Sequence, residues 1–111
     1  MFHGKERGMP LDFVAAKRKR MINGSEAMFS LEERLHEKIL SLAVPRKEFP
    51  TVGKIADYYA DATIVLGELK RFRNEILIIA NASQDSELFS ELLSFVEQTI
   101  LAENNLYVQA D

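Results

Sequence analysis

Between Thr51 and Ala82 apolar residues recur at alternating three- and four-residue steps: Val52, Ile55, Tyr59, Ala62, Leu66 and Leu69, extended by Ile76, Ile79 and Ala80. That spacing predicts one apolar stripe along a helix. No proline interrupts the run, and Pro50-Thr51 supplies a stop and then an N-cap. A single helix over 51–82 is about 45 Å long at ~1.5 Å per residue. A compact domain of this size has a radius of gyration of about 13 Å. Such a rod therefore spans an elongated bundle or packs on a second copy. Thr63-Ile64-Val65-Leu66 and Ile76-Leu77-Ile78-Ile79 are β-branched-rich and admit a second reading as short buried strands. The segment between them is too short for a crossover helix with its loops, so the helix is preferred. Gly67 then marks a kink or a close helix crossing, at about 1 kcal/mol relative to alanine.

The flanking patterns predict further helices. Ser30-Leu31-Glu32-Glu33 has the form of a capping box, and Leu31, Leu35, Ile39 and Leu42 make a buried stripe over 30–44. Pro45 ends it at Val44. The connector Pro45–Pro50 packs Phe49 inward and makes the helices on either side of it neighbours. After the polar turn 81–86, a last helix over 86–103 presents Leu88, Phe89, Leu92, Leu93, Phe95, Val96 and Ile100 on a broad apolar face. Leu106, Tyr107 and Val108 in the tail are available for docking. Near the start, Asp12 caps a short helix over 12–22, which Asn23-Gly24 stops. The fold class expected is all-α: an antiparallel bundle of three main helices with a short basic helix in front. Residues 1–29 form a loosely attached basic segment, and 30–111 the bundle domain. Ile64-Val65-Leu66 and Ile76–Ile79 make the long helix apolar on more than one side, which predicts an oligomer or a partner-binding face.

Charge divides along the same boundary. The net charge is −3, made of +3 over residues 1–29 and −6 over 30–111. The chain has no cysteine, which excludes disulfide scaffolds, thiolate metal sites and cysteine nucleophiles. No apolar stretch is long enough to cross a membrane, and Met1–Gly8 lacks the apolar core of a signal peptide. A cytoplasmic protein is expected.

Candidate chemistry is sparse. Glu33-x-x-His36 has the spacing of a di-iron ligand pair, but the second such motif is missing and the only other histidine is His3. His36 is expected on the rim beside Leu40 and Ala43. Lys17, Arg18, Lys19 and Arg20 form a basic run that would serve a nucleic-acid-associated protein, although on a helix they fan round most of the circumference. Glu33, Glu37, Asp57 and Asp61 are the candidate metal ligands, since paired carboxylates on adjacent helices hold Mg²⁺ against a nucleotide's phosphates. The run Glu32-Glu33-x-x-x-Glu37 with Asp57-x-x-x-Asp61 faintly resembles the carboxylate pattern of the all-helical nucleoside triphosphate pyrophosphohydrolases, with both spacings off by one residue. By helical phase these carboxylates point away from the apolar stripes, towards solvent.

The function expected is therefore a non-catalytic protein-interaction module, such as a small chaperone, adaptor, immunity or antitoxin-like regulator. It binds a protein partner or itself, without a cofactor, through Tyr58, Ile64, Val65, Ile78 and Phe89. The alternatives are a nucleic-acid-associated protein using residues 17–20 and a Mg²⁺-dependent nucleotide pyrophosphohydrolase.

Overall fold

Four strands and three helices occupy residues 10–110, the part of the chain that the computed structural model describes. In chain order they are β1 (Leu11–Ala16), β2 (Met28–Leu31), α1 (Glu33–Leu42), β3 (Ala62–Ile64), α2 (Leu66–Ala82), α3 (Ser90–Leu101) and β4 (Asn105–Gln109). Short 3₁₀ turns at Lys19–Met21, Arg46–Glu48, Val52–Ile55 and Ser86–Phe89 punctuate the connections. The strands form one antiparallel sheet in the order β2-β1-β4-β3. The all-α bundle is thus corrected to a mixed α/β domain.

Strand register decides which side chains share a face. Leu11 lies opposite Leu31 and Phe13 opposite Phe29 on β2. On β4, Phe13 lies opposite Val108, and Leu106 in turn opposite Ile64. With side chains alternating along each strand, Leu11, Phe13, Phe29, Leu31, Ile64, Leu106 and Val108 project together. That face joins Ile39 of α1, Leu69, Phe72, Ile76 and Ile79 of α2, and Leu92 and Val96 of α3 in one hydrophobic core. Phe13 and Phe72 carry the contact between sheet and helix, with ring centroids 6.5 Å apart. Each large side chain buried in this way contributes roughly 1.5–3 kcal/mol relative to exposure.

The long rod expected over 51–82 is two structures. Its first part is the Val52–Ile55 turn, a loop and β3; only Leu66–Ala82 is helical. A 45 Å rod would exceed the 41 Å longest dimension of the molecule, and local chemistry stops it earlier. Asp57 Oδ1 accepts the N–H of Tyr59 at 2.9 Å, and Asp61 Oδ1 accepts the N–H of Ala110 at 2.8 Å. These bonds hold the backbone in a turn and against β4. Ala62-Thr63-Ile64 then pairs with Leu106–Val108. Gly67 sits in the first turn of α2, and a Cβ there would meet nothing within 4 Å, so it marks neither a kink nor a helix crossing. Glu68 reaches back to the N–H of Val65 at 3.3 Å and caps the start of α2. Its carboxylate lies below the ordinary range because Lys54 Nζ donates to it at 2.7 Å and the Val65 N–H adds to this.

The helix expected over 12–22 is also corrected. Residues 11–16 form a central strand, paired on one side with β2 and on the other with β4. Residues 11–16 and 28–29 of the expected basic segment therefore belong to the same sheet as 62–64 and 105–109; residues 1–9 lie outside the described residues. Ser30 does not cap a helix: it belongs to β2, and its Oγ donates to Asp12 Oδ1 across the strands at 3.0 Å. The expected helix over 30–44 is α1, starting at Glu33, and that over 86–103 is a 3₁₀ turn followed by α3. Among the described residues no helix is long and apolar enough to cross a membrane.

Two buried polar side chains tie the Val52–Ile55 turn to the helices. Glu75, 4% exposed on α2, accepts the N–H of Val52 at 2.8 Å and that of Thr51 at 3.1 Å, while Arg71 Nε donates to it at 3.2 Å. His36 is buried, not on a rim, and its Nε2 donates to the Ile55 carbonyl.

Candidate functional site

Among the described residues the sheet has two open edges, β2 and β3, and the β2 edge borders a groove. The N–H of Ala15 donates to the carbonyl of Ala27 at 3.0 Å. In an antiparallel ladder, hydrogen-bonded pairs recur at every second residue. Phe13 and Phe29 are then also such a pair, as are Leu11 and Leu31. It follows that Met28 and Ser30 direct their main-chain N–H and C=O groups away from β1, along the free edge. No other described strand pairs with them.

Beside this edge, on the helix-covered side of the sheet, lies a groove of about 380 Å³. Phe29 and Ser30 of β2 form one wall; Glu32, Arg34 and Leu35 at the start of α1, with Glu87, Leu88, Ser90 and Glu91 at the start of α3, form the rest. Its apolar part is Phe29, Leu35 and Leu88, all partly buried against the core. Phe29 is fixed by rings on both sides, Phe13 at 6.2 Å and Phe95 at 6.0 Å. Ser90 Oγ donates to the Glu87 carbonyl at 3.1 Å, which holds the turn into α3. Three glutamates and one arginine stand round the groove. None of the four takes part in an ion pair or side-chain hydrogen bond with another described residue.

None of the residues expected to contact a partner lines this groove, whereas Glu32, Leu35 and Leu88, read from the sequence as part of a carboxylate run and of buried stripes, do. Ile64 and Phe89 are completely buried core residues, which corrects their expected partner-contacting role. The sequence pattern places Ile64 on the long helix and Phe89 on the apolar face of the last one, whereas Ile64 lies on β3 and Phe89 ends the 3₁₀ turn before α3. Val65 and Ile78 are exposed, and Leu77 beside Ile78 is exposed as well. Tyr58 is half-buried: its hydroxyl donates to the Leu31 carbonyl at 3.1 Å, and its ring lies 4.9 Å from that of His36. Burial, and then the negative charge of Glu33, push its phenol above the ordinary value of 10.0. Tyr59, expected in the core stripe, is exposed instead.

The basic run is also divided. Lys17 Nζ donates to the carbonyls of Ala102 at 2.7 Å and Glu103 at 3.1 Å, so it caps the C-terminal end of α3. Arg18, Lys19 and Arg20 are exposed at the turn between β1 and β2. Of the candidate carboxylates, Asp57 and Asp61 accept main-chain N–H groups, and Glu33 and Glu37 lie on α1. The all-helical frame implied by the pyrophosphohydrolase resemblance is replaced by the sheet. Among the described residues, no group of three or more His, Asp or Glu is placed to hold a metal ion.

No protein-family model matches the chain, and comparison with curated proteins and with solved structures gave no match either.

The β2 edge escaped sequence reasoning because Met28-Phe29-Ser30-Leu31 is only four residues long. Its apolar-polar alternation is interrupted by Met28, and Ser30 reads equally well as a helix cap. The available signal was Phe29 and Leu31 at a two-residue spacing.

Proposed function

We propose that this chain is a non-catalytic protein-interaction domain that takes an extended segment of a partner as a fifth strand along β2. The observation that carries this reading is the pair of free edge residues, Met28 and Ser30, beside an apolar-floored groove. Strand addition uses main-chain hydrogen bonds for affinity and pockets for alternate side chains for selectivity. The edge offers two N–H and two C=O groups, each bond worth about 0.5–1.5 kcal/mol net. Association itself costs several kcal/mol. The four bonds alone therefore give little affinity, and a side chain seated on Phe29, Leu35 and Leu88 must supply the remainder. Binding is expected to be weak, with a Kd on the order of 10–100 µM for a short peptide. A cytoplasmic setting belongs to the same reading, supported by a chain without cysteine.

The test is Met28→Pro. Proline at this position removes an outward N–H and places its ring in the path of an added strand, while the bonds to β1 use Ala27, Phe29 and Leu31. Short random peptides displayed on phage are selected against the wild-type chain. The selected peptides are expected to bind Met28→Pro at least tenfold more weakly, by about the loss of one or two such bonds. Peptides that bind both forms equally, or a selection that enriches none, reject strand addition at β2.

A further inference from the structure

We infer that the segment received by β2 is basic, with an apolar residue and a lysine or arginine two positions apart. This rests on the strand-addition reading and names the chemistry of its partner. An added strand turns every second side chain towards the helices, at a repeat of about 6.5–7 Å. One such side chain meets Phe29, Leu35 and Leu88, the apolar floor. The next meets the rim, where Glu32, Glu87, Glu91 and Arg34 together carry a net charge of −2 from three carboxylates and one guanidinium.

The carboxylates come from two helix starts. Glu32 precedes α1, and its side chain makes no capping hydrogen bond. Glu87 lies in the turn before α3, and Glu91 is in the first turn of α3. Carboxylates at helix starts also complement the helix dipole, which explains why each is tolerated singly. The fold brings these two starts to either side of one groove next to an open strand edge. A lysine or arginine entering there completes ion pairs that the described residues leave unmade.

The same charges decide against other occupants. Two copies joined edge to edge through β2 would bring two acidic grooves together, which like charges oppose. A nucleic acid is repelled for the same reason. An acidic segment is opposed by the net charge of the rim.

Peptides enriched from the random phage library are sequenced, and one synthetic representative is titrated by fluorescence anisotropy. The peptides that discriminate against Met28→Pro are expected to carry Lys or Arg two positions from an apolar residue, well above the input frequency. The representative is expected to bind Glu87→Gln/Glu91→Gln roughly threefold to tenfold more weakly, as two partly exposed ion pairs allow. It is also expected to weaken as salt rises from about 0.05 to 0.5 M. Its addition should shift the amide resonances of Met28 and Ser30 in the wild-type protein, a readout that does not depend on Met28→Pro folding.

Peptides that shift those two amides but show no basic bias, or bind the double variant equally well, overturn this inference and leave strand addition standing. Peptides that leave both amides unmoved overturn strand addition, and this inference with it. A wild-type dimer in sedimentation that Met28→Pro converts to monomer assigns the edge to a second copy and overturns the basic-partner inference.

Discussion

Glu103 shows how one residue can be held in a conformation that its side chain disfavours. Its φ is +57°, the only positive value at a non-glycine position among the described residues. The position ends α3: the Glu103 N–H donates to Ile100 at 2.9 Å, and the Asn104 N–H donates back to Thr99 at 3.0 Å. That is the left-handed closure in which glycine is usual. Lys17 Nζ, bonded to the Glu103 carbonyl at 3.1 Å, helps to hold it. Glu103→Gly is therefore expected to raise stability by about 0.5–1 kcal/mol, the relief of left-handed strain minus the extra freedom of unfolded glycine. A higher urea midpoint with an unchanged slope is the readout, and an unchanged or lower midpoint would show that the strain is offset locally.

At the scale of elements, the Val52–Ile55 turn depends on a carboxylate two elements away. Glu75 accepts the N–H groups of Thr51 and Val52, and all three residues are buried. Glu75→Ala leaves these donors without an acceptor in a region closed to water and is expected to cost about 2–4 kcal/mol in chemical denaturation. Arg71→Ala, removing a side chain 65% exposed, should cost less than about 1 kcal/mol. Equal losses would mean that the ion pair, rather than the caps on the turn, stabilises this region. The elements also differ in how far their sequences disclosed them. The periodic apolar stripes of α1, α3 and Leu66–Ala82 were legible because a helix satisfies its backbone within itself. Thr63-Ile64-Val65-Leu66 and Ile76–Ile79 look alike as strand candidates, yet only Thr63-Ile64 of the first lies in a strand. The difference is β4: Leu106–Val108 pairs with residues 62–64, whereas the backbone of 76–79 is satisfied within α2. Residues 11–16 looked helical because their strand partners, 28–31 and 105–109, are distant in sequence. Of the candidate site, sequence reasoning named Glu32, Leu35, Leu88 and Ser30 only for other roles and passed over Met28; Met28 and Ser30 matter through their place on an edge rather than through side-chain type.

For the molecule as a whole, the sheet order places β1 and β4, the first and last strands, side by side at its centre. Five residues of β4 lie opposite β1 and three lie opposite β3, so β4 joins both halves of the sheet. Leu106 and Val108 also fill the core, at 0% and 1% exposure. Deleting residues 105–111 opens two strand edges and removes both side chains. That loss, about 3–6 kcal/mol from apolar burial alone, is a large part of an ordinary folding stability of 5–15 kcal/mol. The truncated chain is expected to lose its cooperative thermal transition, read by circular dichroism; a retained sharp transition would show that the remaining elements suffice. The order of strands also has a consequence for synthesis. A ribosome completes β1 nearly ninety residues before the strand that must lie against it, so the nascent chain carries an unfinished sheet until β4 has been made. Slowing elongation between the codons of β1 and those of β4 should prolong the time for which that seam is exposed to aggregation.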